Sequence, residues 1–368
     1  MIQASFAPIL LTFKEAAITS RQTMHTKESY LLRLTDTQSG RSGIGECALF
    51  RGLSAEDTPE YSSHLMDLCS GINRLAANSV DDLQNHLLDI MPQASSIRFG
   101  LEGAILSLSR KDGYSLYDTP YTRQESPLTI NGLVWMGDKV TMAGRIRQKL
   151  EQGFRCIKLK IGGIRFDDEV DLLRTIRRVF SADDIQLRLD ANGSFSADNA
   201  LQRLQRLSEF EIHSIEQPIR AGQWEQMRKI ADASPIPIAL DEELIGTRPD
   251  PLKRQMLETI GPQYIILKPS LCGGLTEADR WIQIAKELGI GWWATSALES
   301  NIGLSAIAQW VSRYEPNMPQ GLGTGMLYLK NFPAPLRLEG EQLWFDKHAI
   351  SSNADADTVY NQDTLTWK

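Results

Sequence analysis

The sequence predicts an α/β protein whose main part is a (β/α)8 barrel of the TIM type. After residue 127, short apolar runs alternate with amphipathic stretches, which is the pattern of parallel strands joined by helices. Eight such runs recur at a spacing of roughly 25 to 30 residues, and eight βα units close into a barrel. The runs are 128–134, 156–161, 185–190, 214–217, 236–241, 264–268, 291–295 and 320–323.

An open doubly wound sheet is the alternative architecture. Such a sheet usually carries a Gly-rich fingerprint directly after its first strand. The first run ends in Asn131-Gly132-Leu133-Val134, which is not that fingerprint. The closed barrel is therefore favoured.

A smaller α+β unit precedes the barrel. Residues 30–35 predict a strand and residues 41–47 are Gly-rich. Apolar residues at helical spacing occupy 58–73, 79–89 and 96–111.

The alternation of strands and helices stops after residue 325, where a hairpin-like return and a polar tail follow. We therefore expect residues 1–122 to form an N-terminal α+β domain and residues 123–325 to form the barrel. The tail, 326–368, is expected to pack back on the N-terminal domain.

Composition excludes several classes of protein. The 368 residues carry a formal net charge of -7, whereas nucleic acids and anionic membranes bind basic surfaces. The apolar start from Ala4 to Phe13 has no basic residue before it, and no apolar run reaches the roughly 18 residues that span a bilayer. We expect a cytoplasmic protein that binds neither nucleic acid nor membrane.

The cysteines and histidines give no sign of a zinc site or a disulfide framework. Both residue types are scattered, without a Cys-x-x-Cys or His-x-x-x-His pair. The sequence predicts reduced, buried thiols at Cys47, Cys69, Cys156 and Cys272.

Charged residues end five successive strands of the predicted barrel. Parallel strands covered on both faces are normally apolar throughout. Here the steps from Asp190 to Glu216, Asp241 and Lys268 are 26, 25 and 27 residues, so each βα unit carries one charge at the same place. Surface salt bridges explain one such strand end but not five, because interior charges are rare unless they are paired or bind metal. The C-terminal strand ends are where barrel enzymes place their active sites.

Three of these residues predict a metal site. Asp190, Glu216 and Asp241 follow neighbouring strands and can converge on one point. Three carboxylates so close repel one another unless a cation lies between them. Oxygen ligands suit a hard divalent ion, which predicts Mg²⁺, with Mn²⁺ as the substitute.

The lysines predict the chemistry beside the metal. Lys158 and Lys160 share one face of the second strand, and Lys268 follows the sixth strand, which lies opposite in a ring of eight. A small-molecule carboxylate held by the metal would therefore lie between amines on its two faces. Burial and like charge lower the pKa of a lysine toward that of a useful general base. A metal with a lysine also stabilises the ene-diolate left by proton abstraction beside a carboxylate.

The order of these motifs resembles the enolase superfamily, in its muconate-lactonising subgroup. The motifs are Lys158-x-Lys160, Asp190-x-Asn192, Glu216-Gln217-Pro218, Asp241-Glu242 and Lys268-Pro269. The resemblance covers nearly the whole chain. It implies a modified barrel and a capping domain built from the N-terminus and the C-terminal tail.

Within that subgroup the chain is similar to the o-succinylbenzoate synthase family. The similarity rests on Gly45-Glu46-Cys47, on Arg188, on the stretch 295–300 and on the stretch 321–324. It implies a Mg²⁺-dependent carbon–oxygen lyase that dehydrates 2-succinyl-6-hydroxy-2,4-cyclohexadiene-1-carboxylate to o-succinylbenzoate in menaquinone biosynthesis. It also implies that Lys160 is the base, that Lys268 faces the intermediate as a cation, and that Lys158 assists.

Further site residues follow from the same resemblance. Substrate contacts are expected from Arg188, Asn192, Ser296, Ser300, Gly323 and Thr324. Glu242 either orients the metal ligands from behind or is solvated. Arg51 lies in a loop that is expected near the site, and its charge leaves open how the tail of the substrate is bound.

Another substrate remains open. The expected lysines on both faces also permit racemisation of N-acylamino acids, or another epimerase or cycloisomerase reaction of the superfamily. Dipeptide epimerases usually carry an Asp-x-Asp at the eighth strand to bind an amino group. The chain has Gly321-Leu322-Gly323-Thr324 there, without an acid, which argues against an α-ammonium substrate.

Overall fold

The protein combines an antiparallel sheet, packed on helices, with a parallel barrel. The computed structural model describes residues 1–18, 22–86, 91–247, 249–352 and 362–368. The predicted α/β class and barrel are confirmed, with one difference at the eighth strand.

The N-terminal sheet has three strands, β1 (Ile2–Ile18), β2 (Thr23–Asp36) and β3 (Ser42–Cys47), in that order. The strand predicted at 30–35 lies inside the longer β2. Among the described residues, three helices follow: α1 (Tyr61–Leu75), α2 (Val80–Asn85) and α3 (Ser95–Ser109). The helix predicted at 79–89 ends earlier, and residues 87–89 lie outside the described residues.

The Gly-rich stretch 41–47 contains strand β3, because its glycines allow the strand to pack closely against helix α3. A Cβ atom at Gly45 would lie 1.9 Å from the backbone oxygen of Gly100, and one at Gly43 would lie 2.2 Å from the backbone nitrogen of Leu108. Any side chain at these positions would push the helix away. The glycines therefore serve close packing here, although they usually weaken a strand.

The barrel contains seven parallel strands whose spatial order follows the sequence. Each is joined to the next by at least one helix, as the alternating pattern predicted. The strands are β5 (Gly132–Val134), β6 (Cys156–Lys160), β7 (Gln186–Asp190), β8 (Ser214–Glu216), β9 (Ile238–Leu240), β10 (Tyr264–Leu267) and β11 (Gly291–Ala294). The helices are α4 (Lys139–Glu151), α5 (Phe166–Arg177), α6 (Ala197–Ser208), α7 (Trp224–Ala233), α8 (Asp250–Ile260), α9 (Pro269–Cys272), α10 (Leu275–Glu287) and α11 (Asn301–Ser312).

The predicted eighth strand, 320–323, is reduced to two single bridges. Gln320 pairs with Ile130 and Gly321 pairs with Thr295, both in parallel, and these bridges close the ring between β11 and β5. The chain then turns into a short 3-10 helix at Gly323–Met326, which ends the pairing. We call this closure, residues 320–321, the seam.

The C-terminal tail contacts both parts of the molecule. Strands β12 (Leu336–Glu339) and β13 (Gln342–Phe345) form the predicted hairpin. This hairpin pairs with β4 (Leu128–Thr129), which precedes the first barrel strand in the chain. A short helix, α12 (Ala349–Ser352), and a 3-10 helix, Gln362–Thr364, follow. The tail also reaches the N-terminal sheet: Tyr328 forms an antiparallel bridge with Phe13 of β1, and Lys368 exchanges backbone hydrogen bonds with Phe6. The domain boundaries drawn from the sequence stay a prediction.

The four cysteines are free and buried, as the sequence predicted. Within the described part of the chain, no helix is long and apolar enough to cross a membrane.

Candidate active site

Six charged side chains meet at the C-terminal ends of five adjacent barrel strands. Lys158 and Lys160 come from β6, Asp190 ends β7 and Glu216 ends β8. Asp241 and Lys268 directly follow β9 and β10. The register places Lys160 beside Asp190 and Asp190 beside Glu216. The three carboxylates predicted as metal ligands and the three predicted lysines thus share one end of the barrel.

Burial makes mutual neutralisation of these charges necessary. Asp190 is 0% exposed, Glu216 and Asp241 are each 2% exposed, and Lys158 and Lys160 are 6% and 8% exposed. Burying an isolated charge in such surroundings costs several kcal/mol, so each of these charged side chains must have a partner of opposite charge. Three acids and three lysines provide that balance.

Each carboxylate is paired with a lysine. The Nζ atom of Lys160 lies 2.7 Å from Oδ2 of Asp190, and Nζ of Lys158 lies 2.9 Å from the same oxygen. Lys158 also pairs with Glu216, and Lys268 pairs with Asp241. The ammonium groups therefore lie between the carboxylates.

The same ion pairs affect whether the three carboxylates can bind a metal ion. Among the described residues, no three acidic, His or Cys side chains are gathered closely enough to form a metal cluster. The ammonium groups account for this spacing, because they hold the acids to separate partners. Glu216 Oε1 is nevertheless buried and accepts no hydrogen bond from any described residue. An all-oxygen donor set with an unused buried acceptor fits a hard divalent ion that displaces lysine ammonium groups.

The three lysines differ in their electrostatics. Burial lowers the pKa of Lys160, and the Lys158 and Lys268 ammonium groups lower this pKa further, against the effect of Asp190. Burial also acts on the pKa of Lys268, but Asp241 and Glu216 outweigh it and raise this pKa. Asp190 and Glu216 likewise outweigh burial and raise the pKa of Lys158. Lys160 is therefore the lysine most readily deprotonated.

A small cavity connects these lysines to the N-terminal domain. It encloses about 60 Å³ and is lined by Lys158, Lys160 and Lys268 together with Phe50 and Leu53 from the loop after β3. Binding sites for small molecules usually enclose about 300–1,000 Å³. The cavity of this structure is therefore smaller than that range.

Comparisons with known proteins identify the family of this chain. Residues 141–340 match the family model "Enolase C-terminal domain-like". The o-succinylbenzoate synthase of Desulfotalea psychrophila is 45% identical over 356 residues, which cover 90% of this chain and 95% of that protein. This chain belongs to the o-succinylbenzoate synthase family of the enolase superfamily. It is an enzyme of a lyase family, as the sequence predicted.

Solved structures support the family and the fold. The crystal structure of MenC from Desulfotalea psychrophila has a TM-score of 0.82 and 40% identity, and the match covers 93% of this chain and 99% of that one. The L-Ala-D/L-Glu epimerase of Bacillus subtilis has a TM-score of 0.79 over 94% and 96% of the two chains. Its identity is 21%, so this likeness shows the fold alone.

In this synthase-family member, Asn192 holds the predicted base. Its Oδ1 accepts a hydrogen bond of 2.9 Å from Nζ of Lys160, and its Nδ2 donates one of 3.2 Å to Oε1 of Glu242. Asn192 has a φ of 45°, a left-handed conformation that aims its side chain back at the strand ends. Glu242 thus lies behind Asn192, which favours an orienting role over solvation.

Ser296, Gly323 and Thr324 line the cavity, as does Asn192. The Ser296 hydroxyl donates to the buried Glu299 and accepts from two backbone N–H groups, those of Leu298 and Glu299. Its hydrogen-bonding capacity is already used, so Ser296 shapes the wall of the cavity more than it offers a free hydroxyl.

Two predicted substrate contacts do not reach the cavity. Arg188 faces the barrel interior two residues before Asp190, which places it about 6–7 Å deeper. Its Nη1 donates to the backbone oxygen of Pro319 at 2.8 Å, and its guanidinium carbon lies 4.2 Å from the centre of the Trp293 ring. Ser300 caps the N-terminus of α11, where its hydroxyl accepts from the backbone N–H of Ile302 and donates to Glu46.

Arg51 is also turned away from the cavity. Its side chain is 44% exposed and pairs with Glu28 at 3.0 Å and with Asp57 at 2.6 Å. These ion pairs hold the loop that contributes Phe50 and Leu53.

A buried charge cluster behind the cavity was missed by sequence reasoning. Glu299 is 0% exposed and accepts from Ser296 and from Ser270, two residues after Lys268. Lys27 and Glu46, buried residues of the N-terminal sheet, interact electrostatically with this region. An acid within the otherwise uncharged stretch 295–300 was the available signal.

Proposed function

We propose that this enzyme dehydrates the succinyl-bearing hydroxycyclohexadiene carboxylate to o-succinylbenzoate, in the cytoplasm, as a step of menaquinone biosynthesis. The observation that carries the proposal is the 45% identity to an o-succinylbenzoate synthase over 90% of the chain. The buried acids and lysines at the strand ends supply the groups that the reaction needs.

Asp190, Glu216 and Asp241 are the residues that would hold a divalent metal ion, proposed as Mg²⁺. The ion would draw electron density from the substrate carboxylate and so make the adjacent carbon–hydrogen bond more acidic. Lys158, which contacts two of the acids, would then lie beside that carboxylate and add a further positive charge.

Lys160 is proposed as the base. Its lowered pKa makes Lys160 easier to deprotonate, and Asn192 fixes the direction of its Nζ atom. The amine takes the proton next to the carboxylate, the carbon–oxygen bond to the hydroxyl breaks, and the departing hydroxyl receives the proton that Lys160 took and leaves as water. The ring becomes aromatic, and no oxidant or reductant is needed.

Lys268 is proposed as the cation on the opposite face. The carboxylates of Asp241 and Glu216 raise its pKa, so it remains an ammonium ion while negative charge develops on the substrate. A preorganised charge of this kind contributes roughly 3–4 kcal/mol to transition-state stabilisation, by analogy with oxyanion donors.

Racemisation of N-acylamino acids is the second candidate. It requires a proton carrier on each face, and β6 and β10 provide lysines from opposite sides of the barrel. An α-ammonium substrate is disfavoured, because no carboxylate appears among the cavity-lining residues of the described chain.

A direct comparison of the two reactions tests the proposal. Purified enzyme with added Mg²⁺ is given the cyclohexadiene carboxylate, and formation of the aromatic product is followed by absorbance. In parallel, N-succinylamino acids are given and optical rotation is followed. We expect a kcat/KM for dehydration at least tenfold above that for racemisation. A larger value for racemisation would overturn the proposal.

A further inference from the structure

A buried carboxylate lies behind the loop that follows the proposed base. Glu169 belongs to the first turn of α5 and is only 2% exposed. Its Oε1 accepts a hydrogen bond of 2.6 Å from the backbone N–H of Gly162, which is two residues after Lys160 in the chain. Glu169 therefore holds the main chain close to the point where the base leaves its strand.

Stabilisation of the helix alone does not explain why this carboxylate is buried. Burial raises the pKa of Glu169 to about 7, while the backbone N–H groups of Gly162, Ile164 and Gly163 oppose this rise. A negative charge at a helix N-terminus is favourable without burial. Asp167, in the same turn, supplies such a charge with a side chain that is 73% exposed. The N–H groups that face Glu169 belong to the loop after β6, residues 161–165, so its contacts serve that loop.

The loop after β6 packs directly against the turn after β7, which carries Asn192. A Cβ atom at Gly162 would lie 2.0 Å from Oγ of Ser194, two residues after Asn192. Gly162 also has a φ of 89°, a conformation that favours glycine. The backbone N–H of Ile161 donates to the backbone oxygen of Asp190 at 2.8 Å. The loop and the turn therefore form one packed unit.

Lys160 is held by both parts of this unit. Its main chain continues directly into the loop, and its Nζ donates to Oδ1 of Asn192 in the turn at 2.9 Å. A shift of the loop would therefore move the backbone of Lys160 and the amide that directs its amine. A displacement of about 1 Å between reacting groups can reduce a rate about 10²-fold. The rate of proton abstraction thus depends on the contacts that fix the loop.

We infer that Glu169 is a positioning residue for the base: it anchors the loop after β6 to helix α5 and thereby fixes Lys160 against the substrate. The inference rests on the proposed function, which assigns the base to Lys160. Within the described chain, Glu169 is not among the residues that line the cavity. It acts through Gly162 and takes no part in proton transfer.

Steady-state dehydration by two variants tests the inference. Both are assayed with saturating Mg²⁺ at about pH 8, where Glu169 of the wild type is mainly ionised. Glu169→Ala should lower kcat about 10- to 100-fold and leave KM within threefold of the wild type, because the base is misplaced while the binding groups are kept. Glu169→Gln keeps one acceptor oxygen for Gly162, so its kcat should lie between those of Glu169→Ala and the wild type.

Two further measurements separate a misplaced base from a general loss of structure. Calorimetry with Mg²⁺ counts the intact sites, and Glu169→Ala should bind as many ions per chain as the wild type, with an affinity within threefold. A substrate that carries deuterium at the carbon next to the carboxylate reports on proton abstraction. Because this step is the one that is slowed, the isotope effect on kcat should be at least as large as that of the wild type.

The control is Asp167→Ala, which removes an exposed carboxylate from the same helical turn and should leave kcat within twofold of the wild type. A loss of kcat smaller than tenfold in folded Glu169→Ala, or an isotope effect reduced toward 1, would overturn the inference. A wild-type enzyme that does not dehydrate the substrate would instead overturn the proposed function. Circular dichroism checks the fold. If Glu169→Ala is unfolded, Glu169→Gln decides: a kcat at least threefold below the wild type supports the inference, and a smaller loss overturns it.

Discussion

Glu46 is predicted to hold the N-terminal sheet to the barrel. Its carboxylate lies at the end of β3, is 1% exposed, and accepts four hydrogen bonds. Ser29 and Ser300 donate through their hydroxyls at 2.8 and 2.6 Å, and the backbone N–H groups of Ser300 and Gly303 donate at 3.0 Å each. Three of these four donors belong to the first turn of α11, after the last barrel strand.

The cost of removing this carboxylate can be worked from its donors. In Glu46→Ala the two serines can turn toward other acceptors, since Ser29 already lies 3.3 Å from the oxygen of Cys47. The two backbone N–H groups are fixed in the helix, and each one left without an acceptor lowers the free energy of unfolding by about 1–3 kcal/mol. The negative charge at a helix N-terminus contributes up to about 2 kcal/mol. We therefore expect a loss of about 4 kcal/mol in the free energy of unfolding.

Urea unfolding followed by circular dichroism measures this loss. Glu46→Ala should lower the unfolding midpoint with an unchanged slope, and Glu46→Gln, which keeps one acceptor oxygen, should lose about half as much. The control is Glu60→Ala, because exposed Glu60 precedes helix α1 without a side-chain capping bond, and this variant should lie within about 0.5 kcal/mol of the wild type. If Glu46→Ala unfolds at the same urea concentration as Glu60→Ala, the proposed link between the two parts of the molecule is wrong.

Three further predictions concern the metal, the opposite lysine and pH. Glu216→Ala should bind no Mg²⁺ in calorimetry and should lose activity while its circular dichroism spectrum is kept; full activity of the wild type after exhaustive chelation would contradict this. Lys268→Arg keeps the positive charge but not a readily titratable amine. It should therefore recover part of the dehydration rate that is lost in Lys268→Ala, but no racemisation. Equal dehydration rates in the two variants would refute the electrostatic role. Burial and Arg188 lower the pKa of His213 to about 4, whereas a histidine in the unfolded chain has a pKa of about 6.5. Between these two pH values the unfolded chain binds a proton that the folded protein does not, so the stability of the fold decreases as the pH drops from about 6.5 to about 4. The thermal midpoint of His213→Asn should fall less steeply over that pH range, and an identical slope would show that His213 is not protected from protonation.

The charged strand ends could be predicted because each is fixed by its own βα unit. A residue that ends a parallel strand lies at the same edge as its neighbours, so Asp190, Glu216 and Lys268 come together once the barrel closes. The register of single strands was sufficient for this part of the site. No knowledge of distant contacts was needed.

The surroundings of Arg188 and Ser300 could not be predicted from the sequence. Both stand beside site residues in the chain, yet the depth of Arg188 in the barrel and the partner of Ser300 depend on tertiary contacts with Pro319 and Glu46. The Gly-rich strand β3 depends on the helix that packs against its glycines.

The rate of dehydration in Lys160→Ala, measured beside Lys268→Ala, tests the central claim most directly. Both variants are loaded with Mg²⁺ and given the cyclohexadiene carboxylate, and formation of the aromatic product is followed by absorbance. Lys160→Ala should show no dehydration above the uncatalysed rate, because the base is gone. Lys268→Ala should keep a small but measurable rate, reduced roughly 10²- to 10³-fold by loss of the opposing charge. If Lys160→Ala kept the wild-type rate while Lys268→Ala lost it, the base would lie on the other face of the barrel.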